Sequence, residues 1–210
     1  MYHLFPRELT ISTSGGVPRL RLSPVPEVAL HLRQKQITHN HTVSYDGSDT
    51  PETAEDQAET VLAKGSSLDV VMHCTLTAAA APTSGQITVE VLADPSPGTS
   101  ALVVGYDFAT ELSFVDHARM GNATIVQTAP LPRAHALAGP ESAPLLRVLL
   151  DGAMIESFGG GTVAITAFVT PTGTASPADR VVRLGTPKEK PVGVVCNVST
   201  YALSLSPAAV

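Results

Sequence analysis

The sequence predicts an all-β protein, and three features of its composition indicate this class. Val and Thr recur in short runs, and 17 Pro and 16 Gly interrupt those runs at close intervals. Such frequent interruption of Val- and Thr-rich runs by Pro and Gly is typical of many short strands rather than of long helices. Only 4% of the residues are aromatic and none is Trp, so the core must consist mainly of Val, Leu, Ile and Ala.

Successive segments after residue 67 combine apolar alternation with flanking turn residues. They are LDVVMHCTLT, GQITVEVLA, SALVVGYDF, ELSFVD, ATIVQ, PLLRVLLDG, MIESF, TVAITAFVT, DRVVRLG and VGVVCNVSTYALSLS. Their spacing of about 8 to 14 residues is that of a two-layer antiparallel β-sandwich. Within GQITVEVLA, the residues Ile87, Val89 and Val91 share one face of the predicted strand. We expect Leu149 and Ile165 to face the core between the two sheets.

The first 33 residues are interpreted as a separate unit. FPRELTIST predicts a strand, SGGVP a turn and RLRL a returning strand, so this region forms a hairpin. SPVPEVALHLR then predicts a short irregular or helical connector, because Pro26 suits a first helical position. We place the domain boundary near Arg33, with the hairpin and linker in residues 1–33 and the sandwich in residues 34–210.

A candidate strand from Gln36 to Tyr45 precedes an acidic polar stretch, DGSDTPETAEDQAETVLAKGSS. Pro51 follows capping residues and precedes Ala and Glu, so one short helix is an option for this stretch. The alternative is a disordered loop, and we expect a solvated insertion.

Charge and hydropathy exclude two classes of partner. Thirteen basic and nineteen acidic residues give a net charge of -6 without a dense basic cluster, so nucleic acid is not expected as a partner. No apolar run approaches the ~18 to 20 residues that span a bilayer, so no membrane is expected either. The opening MYHLFPRELTIST does not resemble a signal peptide, because Pro6, Arg7 and Glu8 break its apolar run.

The cysteines and asparagines carry separate signals. Cys74 and Cys196 are far apart, and two unrelated buried thiols are expected in preference to a disulfide. Each asparagine in the chain begins an N-x-[ST] triplet: Asn40, Asn122 and Asn197. These triplets predict N-glycosylation and an ancestry in the secretory pathway.

Four segments, in chain order, carry recognisable motifs. FPRELTI is similar to a PRxLTL strand and SPVPEVALHLR to a QPVPELxxLR linker. VDHARMGN is similar to VDRxRSGN, and residues 146–171 are similar to LRVLVDxSxxExFxxxGxxxxTxRxxP. Together they resemble glycoside hydrolase family 32, the invertases and fructan hydrolases. The matching residues, read as structural, are Asp116, Arg119, Asp151, Glu156 and Phe158.

Some positions depart from these motifs. Ala153 stands in place of Ser and Phe168 in place of Arg in the last motif, Met120 stands in place of Ser in the third, and Tyr201 stands where a closing Trp is usual. These departures indicate a divergent member of the family.

The resemblance implies that residues 1–33 are the closing strand of the family's five-bladed catalytic propeller with its linker, and that the remainder is the C-terminal sandwich. It implies retaining hydrolysis of β-fructofuranosides such as sucrose or fructans by the whole enzyme, and a secreted, cell wall or vacuolar location. The catalytic motifs W-M-N-D-P-N-G, R-D-P and E-C do not occur here. A retaining mechanism needs two carboxyl groups about 5 Å apart, so no catalytic residue is assigned and the chain alone is expected to be inactive.

The missing propeller is the expected partner of this chain. Without it, the apolar residues of the first unit are expected on an exposed patch or unpaired edge, on which the sandwich does not depend. These residues are Leu4, Phe5, Leu9, Ile11 and Leu20.

Structural roles are expected for the other groups of polar residues. Asp151 and Glu156 flank a predicted turn, but we expect ion pairs with an arginine such as Arg119 or Arg147 rather than catalysis. In MIESF the alternation places Glu156 between Met154 and Phe158 on one face, so a buried Glu156 must be paired. His39 and His41 share a strand face and lack an evident third ligand, so no metal or cofactor is expected. The run of glycines at 159–161 predicts a hairpin turn.

Three hypotheses of function follow. The first is a non-catalytic module that supports a catalytic propeller and contributes to a homodimer. The second is a free-standing, lectin-like module that binds carbohydrate, which the shortage of exposed aromatic residues disfavours. The third is a remnant with no activity.

Overall fold

The computed structural model describes residues 5–13, 18–45, 60–77, 82–96, 101–120, 125–137, 143–170, 175–187 and 189–204. The strands, in chain order, are β1 Arg7–Ser12, β2 Arg19–Pro24, β3 Arg33–Tyr45, β4 Val61–Lys64, β5 Ser67–Leu76, β6 Gln86–Ala93, β7 Leu102–Asp107, β8 Leu112–Asp116, β9 Val126–Pro130, β10 Leu146–Asp151, β11 Met154–Gly159, β12 Val163–Phe168, β13 Val181–Leu184 and β14 Val194–Leu203. Helical structure is short: Val28–Leu32 is a π-helical turn, Ala118–Met120 a 3-10 turn and Arg133–Ala136 an α-helical turn.

Two six-stranded sheets form the sandwich, and their strand pairs are antiparallel. The first sheet has the order β12-β11-β10-β5-β14-β3, and the second has the order β4-β13-β6-β7-β8-β9. The predicted all-β, two-layer sandwich is therefore confirmed. Strands β1 and β2 form a separate two-stranded sheet, which is the predicted hairpin.

The main core lies between the two sheets and is built from alternate residues of each strand. Ile87, Val89 and Val91 of β6 are buried in it, as the alternation predicts. Ile165 of β12 contributes from the first sheet and is 7% exposed. Aliphatic side chains dominate this core, which follows from the scarcity of aromatic residues in the sequence.

Cys74 and Cys196 form a disulfide within this core, so the expectation of two unrelated thiols is wrong. Although 122 positions separate them in sequence, the two residues lie directly opposite each other on β5 and β14. Both are buried at 5% or less exposure. The pairing follows from the topology, because β14 inserts between β5 and β3.

A second apolar cluster covers the outer face of the first sheet. Leu149, Met154 and Phe158 project from β10 and β11 away from the inter-sheet core, and Phe5 and Val28 pack on them. Leu149 is fully buried, but beneath the N-terminal segment rather than between the sheets. Its position in the inter-sheet core, which strand alternation alone suggested, is therefore wrong.

The exposure of the N-terminal apolar residues divides into two groups. Leu9, Ile11 and Leu20 are 64%, 73% and 60% exposed, as expected for a hairpin without its neighbour. Phe5 is only 5% exposed, so its predicted place on an open patch is wrong. Leu4 lies outside the described residues, and the boundary near Arg33 stays a prediction.

Strand β4 was not anticipated, because its four residues VLAK end the acidic stretch and are too few to show a period. It pairs with β13 at the edge of the second sheet. The helix or loop expected earlier in that stretch falls on residues 46–59, outside the described residues. Across the described ranges, no helix is long and apolar enough to cross a membrane.

Replacing Leu149 with Ala should lower the free energy of unfolding by about 2 to 4 kcal/mol, because a buried methylene-rich side chain leaves a cavity beneath the N-terminal segment. Urea denaturation measures this loss. The matched change Leu9→Ala on the exposed hairpin should stay within about 0.5 kcal/mol of the unmodified chain. Equal losses at both positions would contradict the packing described for Leu149.

Candidate functional site: paired charges on the outer faces of the sandwich

Asp69 is the centre of the first charged group. It lies on the outer face of β5 and is fully buried. Arg147 binds both carboxylate oxygens, with Nε donating to Oδ1 at 3.0 Å and Nη2 to Oδ2 at 2.8 Å. Arg33 donates from Nε to Oδ2 at 2.7 Å, and its guanidinium lies 3.9 Å from the centre of the Tyr201 ring. Two arginines thus neutralise one buried carboxylate.

Glu156 is the second buried carboxylate on this face and is also fully buried. It lies between Met154 and Phe158 of β11, as the alternation predicted. Its partner is Arg7 of β1, whose Nε donates to Oε2 at 3.3 Å and whose Nη2 lies 3.3 Å from Oε1, an ion pair without hydrogen-bond alignment. The expected partner arginine exists, but it is Arg7 rather than Arg119 or Arg147.

Arg7 has two further contacts that fix its direction. Its Nη2 donates to the Thr166 hydroxyl on β12, and its guanidinium carbon lies 5.8 Å from the centre of the Phe158 ring. The side chain of Arg7 therefore joins the hairpin to two strands of the sandwich.

Asp151 and Glu156 do not form a pair. Asp151 ends β10 opposite Met154, whereas Glu156 lies opposite Leu149, two positions further along the ladder. Gly152 then turns the chain with a φ of 58°, a conformation that favours glycine. Arg7 holds Glu156 in an ion pair, so the two carboxylates do not face each other across an open site, as glycoside hydrolysis requires.

The second sheet carries its own buried pair on the outer face. Glu90 of β6 is 4% exposed and accepts from Nε of Arg183 at 2.7 Å. Arg119 bonds to the other carboxylate oxygen of Glu90. Asp116 accepts from the Ala118 backbone N–H at 2.8 Å and so begins the 3-10 turn that carries Arg119. In the described contacts, Asp116 thus caps a turn and Arg119 pairs with Glu90, and the structural role of this motif stays a prediction.

His117, between those two motif residues, is 3% exposed. Burial lowers the pKa of its imidazole, and the nearby Asp116 carboxylate offsets this in part. The neutral imidazole is therefore the form that the fold favours.

The structure does not test the arrangement of the His39 and His41 side chains. The side chain of His39 lies outside the described residues, and His41 is on β3. Within the described ranges, no group of three His, Cys, Asp or Glu residues is placed to hold a metal ion. Gly160 and Gly161 lie in the turn between β11 and β12, both with positive φ, whereas Gly159 is the last residue of β11.

Two of the predicted glycosylation sites lie side by side on the first sheet. Asn40 and Asn197 are both exposed, on neighbouring strands β3 and β14. The hydroxyl of Thr42 donates to Oδ1 of Asn197 at 2.8 Å, and the hydroxyl of Ser199 donates to Oδ1 of Asn40 at 3.1 Å. Each triplet thus orients the asparagine of the other. Asn122 lies outside the described residues.

Sequence reasoning missed Asp69, Arg33 and Arg7. A signal existed for Asp69, because it is a lone charge inside the apolar run LDVVMHC, where a buried acid must find a cation. Arg7 lies in the FPRELTI motif, but nothing in the local sequence indicates a partner 149 positions away.

Replacing Arg7 with Met should lower the free energy of unfolding by about 1 to 3 kcal/mol, because it leaves Glu156 buried without a cation and because Arg7 is itself partly exposed. The double change Arg7→Met with Glu156→Gln should cost less than the sum of the single changes. Urea denaturation of the four chains gives this coupling, and Arg19→Met on the same hairpin is the control, expected within about 0.5 kcal/mol. Additive losses would show that Arg7 and Glu156 are not coupled.

Solved structures resemble this chain over nearly its whole length. The exo-inulinase from Aspergillus awamori matches with a TM-score of 0.64 at 19% identity, over 95% of this chain and 36% of that chain. The Aspergillus kawachii β-fructofuranosidase matches with a TM-score of 0.59 at 16% identity, over 92% of this chain and 32% of that chain. A fructosyltransferase from A. japonicus gives 0.57 at 13% identity, with 96% and 32% covered. At these identities the likeness shows the fold.

The chain spans about a third of the length of these solved relatives. No curated protein sequence matches it. The family described as "Glycosyl hydrolases family 32 C terminal" matches residues 28–189, which is more than half of the chain. The chain therefore belongs to this family, as its C-terminal β-sandwich.

Proposed function

We propose that this chain is the non-catalytic sandwich of an enzyme that hydrolyses terminal β-fructofuranosides, and that it supports a catalytic propeller. The observation that carries the proposal is the β1-β2 hairpin, which is fastened to the sandwich and leaves an apolar face open. Sandwiches of this family normally pair with a propeller, and the hairpin gives that pairing a physical basis.

The hairpin is amphipathic. In its register, Leu9 lies opposite Leu22 and Ile11 opposite Leu20, so four apolar residues share one face. A two-stranded ribbon is marginally stable alone and gains stability from a further strand or an apolar cover. A propeller blade is the occupant we propose, because β1 and β2 present a sheet-like surface with exposed apolar residues to which a further strand could pair.

The hairpin is held in place by the sandwich rather than by a flexible tether. Besides the ion pair of Arg7 with Glu156, the Leu22 backbone N–H donates to the Gly161 carbonyl at 2.8 Å. The Val25 N–H donates to the Pro6 carbonyl at 3.1 Å and closes the base of the hairpin. A blade built on this hairpin would be fixed relative to the first sheet.

We further propose that the parent protein enters the secretory pathway and reaches the cell surface, cell wall or vacuole. The exposed Asn40 and Asn197 support this proposal, because their Nδ2 atoms remain available for a glycan when Oδ1 accepts a hydrogen bond. In a chain produced by a eukaryotic secretory host, treatment with peptide N-glycosidase should lower the mass, and Asn40→Gln should remove part of that shift. An unchanged mass would contradict the proposal.

The isolated chain should release no fructose from sucrose, inulin or levan. The buried carboxylates Asp69 and Glu156 are held by arginines and so cannot serve as a nucleophile and an acid/base. Assay of released reducing sugar, with a commercial invertase as the positive control, measures this outcome. Hydrolysis that disappears in Glu156→Gln would show that this residue is catalytic instead.

The isolated chain should self-associate through the apolar face of the hairpin. Ile11→Glu places a charge on that face and should shift the chain toward monomer in sedimentation velocity, with the free energy of unfolding unchanged within about 0.5 kcal/mol. Thr10→Glu adds the same charge to the opposite face and is the matched control. Equal behaviour of the two variants would remove the support for this surface.

The genomic or transcript sequence upstream of Met1 tests the proposal that this chain supports a catalytic propeller. An open frame that continues into this chain and encodes W-M-N-D-P-N-G would supply the propeller nucleophile. In that parent enzyme, Ile11→Glu should reduce thermal stability more than it does in the isolated chain. An upstream frame that encodes an unrelated domain would overturn the proposal.

A further inference from the structure

The first sheet is assembled from two parts of the chain. Strands β12, β11, β10 and β5 come from residues 67–168, whereas β3 and β14 are the first and last strands of the sandwich. Among the described residues, β14 is the only strand that pairs with β3. The end strands β3 and β14 therefore join the rest of the sheet across one ladder, which pairs residues 194–202 of β14 with residues 68–76 of β5. We call this ladder the seam.

Two cross-links hold the seam, one on each face of the sheet. On the core face, Cys74 of β5 and Cys196 of β14 lie directly opposite each other and form the disulfide. On the outer face, Arg33 at the start of β3 reaches across β14 to β5. Its guanidinium lies 3.9 Å from the centre of the Tyr201 ring, and its Nε donates to Oδ2 of Asp69 at 2.7 Å. A covalent bond and an ion pair thus join the same two parts of the sheet.

The buried carboxylate beside the seam keeps a cation when the seam opens. Asp69 lies on β5, and its second partner, Arg147, lies on β10, which is on the same side of the seam. Opening withdraws Arg33 from this group but leaves Arg147 in place. Since a buried carboxylate is costly only without compensation, the charge of Asp69 does not prevent the two parts from separating.

Apolar burial and two hydroxyl groups resist the opening. Val194 and Val198 of β14 are buried in the inter-sheet core. The hydroxyls of Thr38 on β3 and Thr200 on β14 both donate to the Leu62 carbonyl of β4 in the second sheet. Exposing these apolar groups to water costs free energy, so the open form is a minor state whose population depends on the cross-links.

We propose that the disulfide is a redox-sensitive latch on the seam. With the bond intact, β14 stays attached to β5 at Cys196, and β3 stays with β14. When a dithiol reduces the bond, the end strands open more often as a unit, whereas β12, β11, β10 and β5 stay folded. The latch lies within the isolated chain and does not depend on the presence of a propeller.

The reduction is a thiol–disulfide exchange. A thiolate of the dithiol attacks one sulfur of the bond, and the other sulfur leaves as a thiolate and takes up a proton. The second thiol of the reagent then displaces the first cysteine, so both cysteines end as thiols and the reagent ends as a disulfide. Cys74 is 5% exposed and Cys196 is 0% exposed, so the reagent reaches the bond only when the seam opens locally. The rate of reduction therefore reports that opening.

Hydrogen exchange followed by mass spectrometry tests this proposal on the oxidised chain and on the chain reduced with dithiothreitol, with the same reducing quench for both. Peptides from β3 and β14 should exchange about tenfold or more faster in the reduced chain, because the lost cross-link raises the population of the open form. Peptides from β6 and β7 in the second sheet should stay within about twofold. The double variant Cys74→Ala with Cys196→Ala should exchange as the reduced chain does and should not respond to dithiothreitol.

Arg33→Met tests the second cross-link of the seam. It should speed the release of thiols by dithiothreitol about tenfold, because it removes a charged hydrogen bond across the seam while Arg147 still pairs with Asp69. Arg19→Met on the exposed hairpin is the matched control, and its rate of reduction should stay within about twofold of the unmodified chain.

Three outcomes would overturn the proposal. The first is equal exchange of β3 and β14 in the oxidised and reduced chains. The second is an acceleration that is uniform over all strands, because it would show general loss of stability rather than opening of the seam. The third is an unchanged rate of reduction in Arg33→Met. None of these outcomes affects the hairpin experiments, because those test a different surface.

Discussion

The first sheet depends on two carboxylates that are fully buried on its outer face, Asp69 and Glu156. A buried anion is costly unless a cation and hydrogen bonds compensate it. Part of that compensation comes from outside the sandwich strands, since Arg7 lies in the hairpin and Arg33 at the end of the linker. Burial of the two acids therefore requires the N-terminal segment to lie on this face, and Phe5 and Val28 then fill the apolar space beside them.

This requirement makes the two sheets unlike each other. The N-terminal segment covers part of the outer face of the first sheet, around β10 and β11. This explains why β5 is buried at every position from Leu68 to Met72, all of them apolar apart from Asp69. The second sheet is covered on one face by the core and faces outward on the other, where β6 carries Gln86, Thr88 and Glu90. Thr88 and Glu90 are buried at 3% and 4% exposure on that face, and Arg183 bonds to Glu90, so these two polar groups are buried without being in the core.

The alternation of apolar residues predicted most strands and the face on which Glu156 lies, because a strand has a strict period of two. The alternation could not predict which face of a strand points toward the other sheet and which lies beneath the N-terminal segment. Leu149 was therefore expected in the inter-sheet core, whereas it lies beneath the N-terminal segment. Local patterns also cannot predict contacts between positions that are distant in sequence. The disulfide of Cys74 with Cys196 and the ion pair of Arg7 with Glu156 depend on the order of the strands, which no local pattern shows. Of the candidate site, the motif residues could be named in advance, but their partners could not.

Among the described residues, the buried acids of the sandwich have arginine partners, and apolar side chains fill its inter-sheet core. The hairpin, by contrast, leaves apolar side chains exposed to solvent. Arg7, Leu9 and Ile11 alternate onto one face of β1, and that face meets the sandwich at Arg7 but is open to solvent by Ile11. The ribbon therefore leaves the sandwich surface with its apolar side uncovered. A fold that fastens such a ribbon with an ion pair to a fully buried acid holds it in one orientation relative to the first sheet. The geometry of Arg7 is thus the structural link between the sandwich and the hairpin.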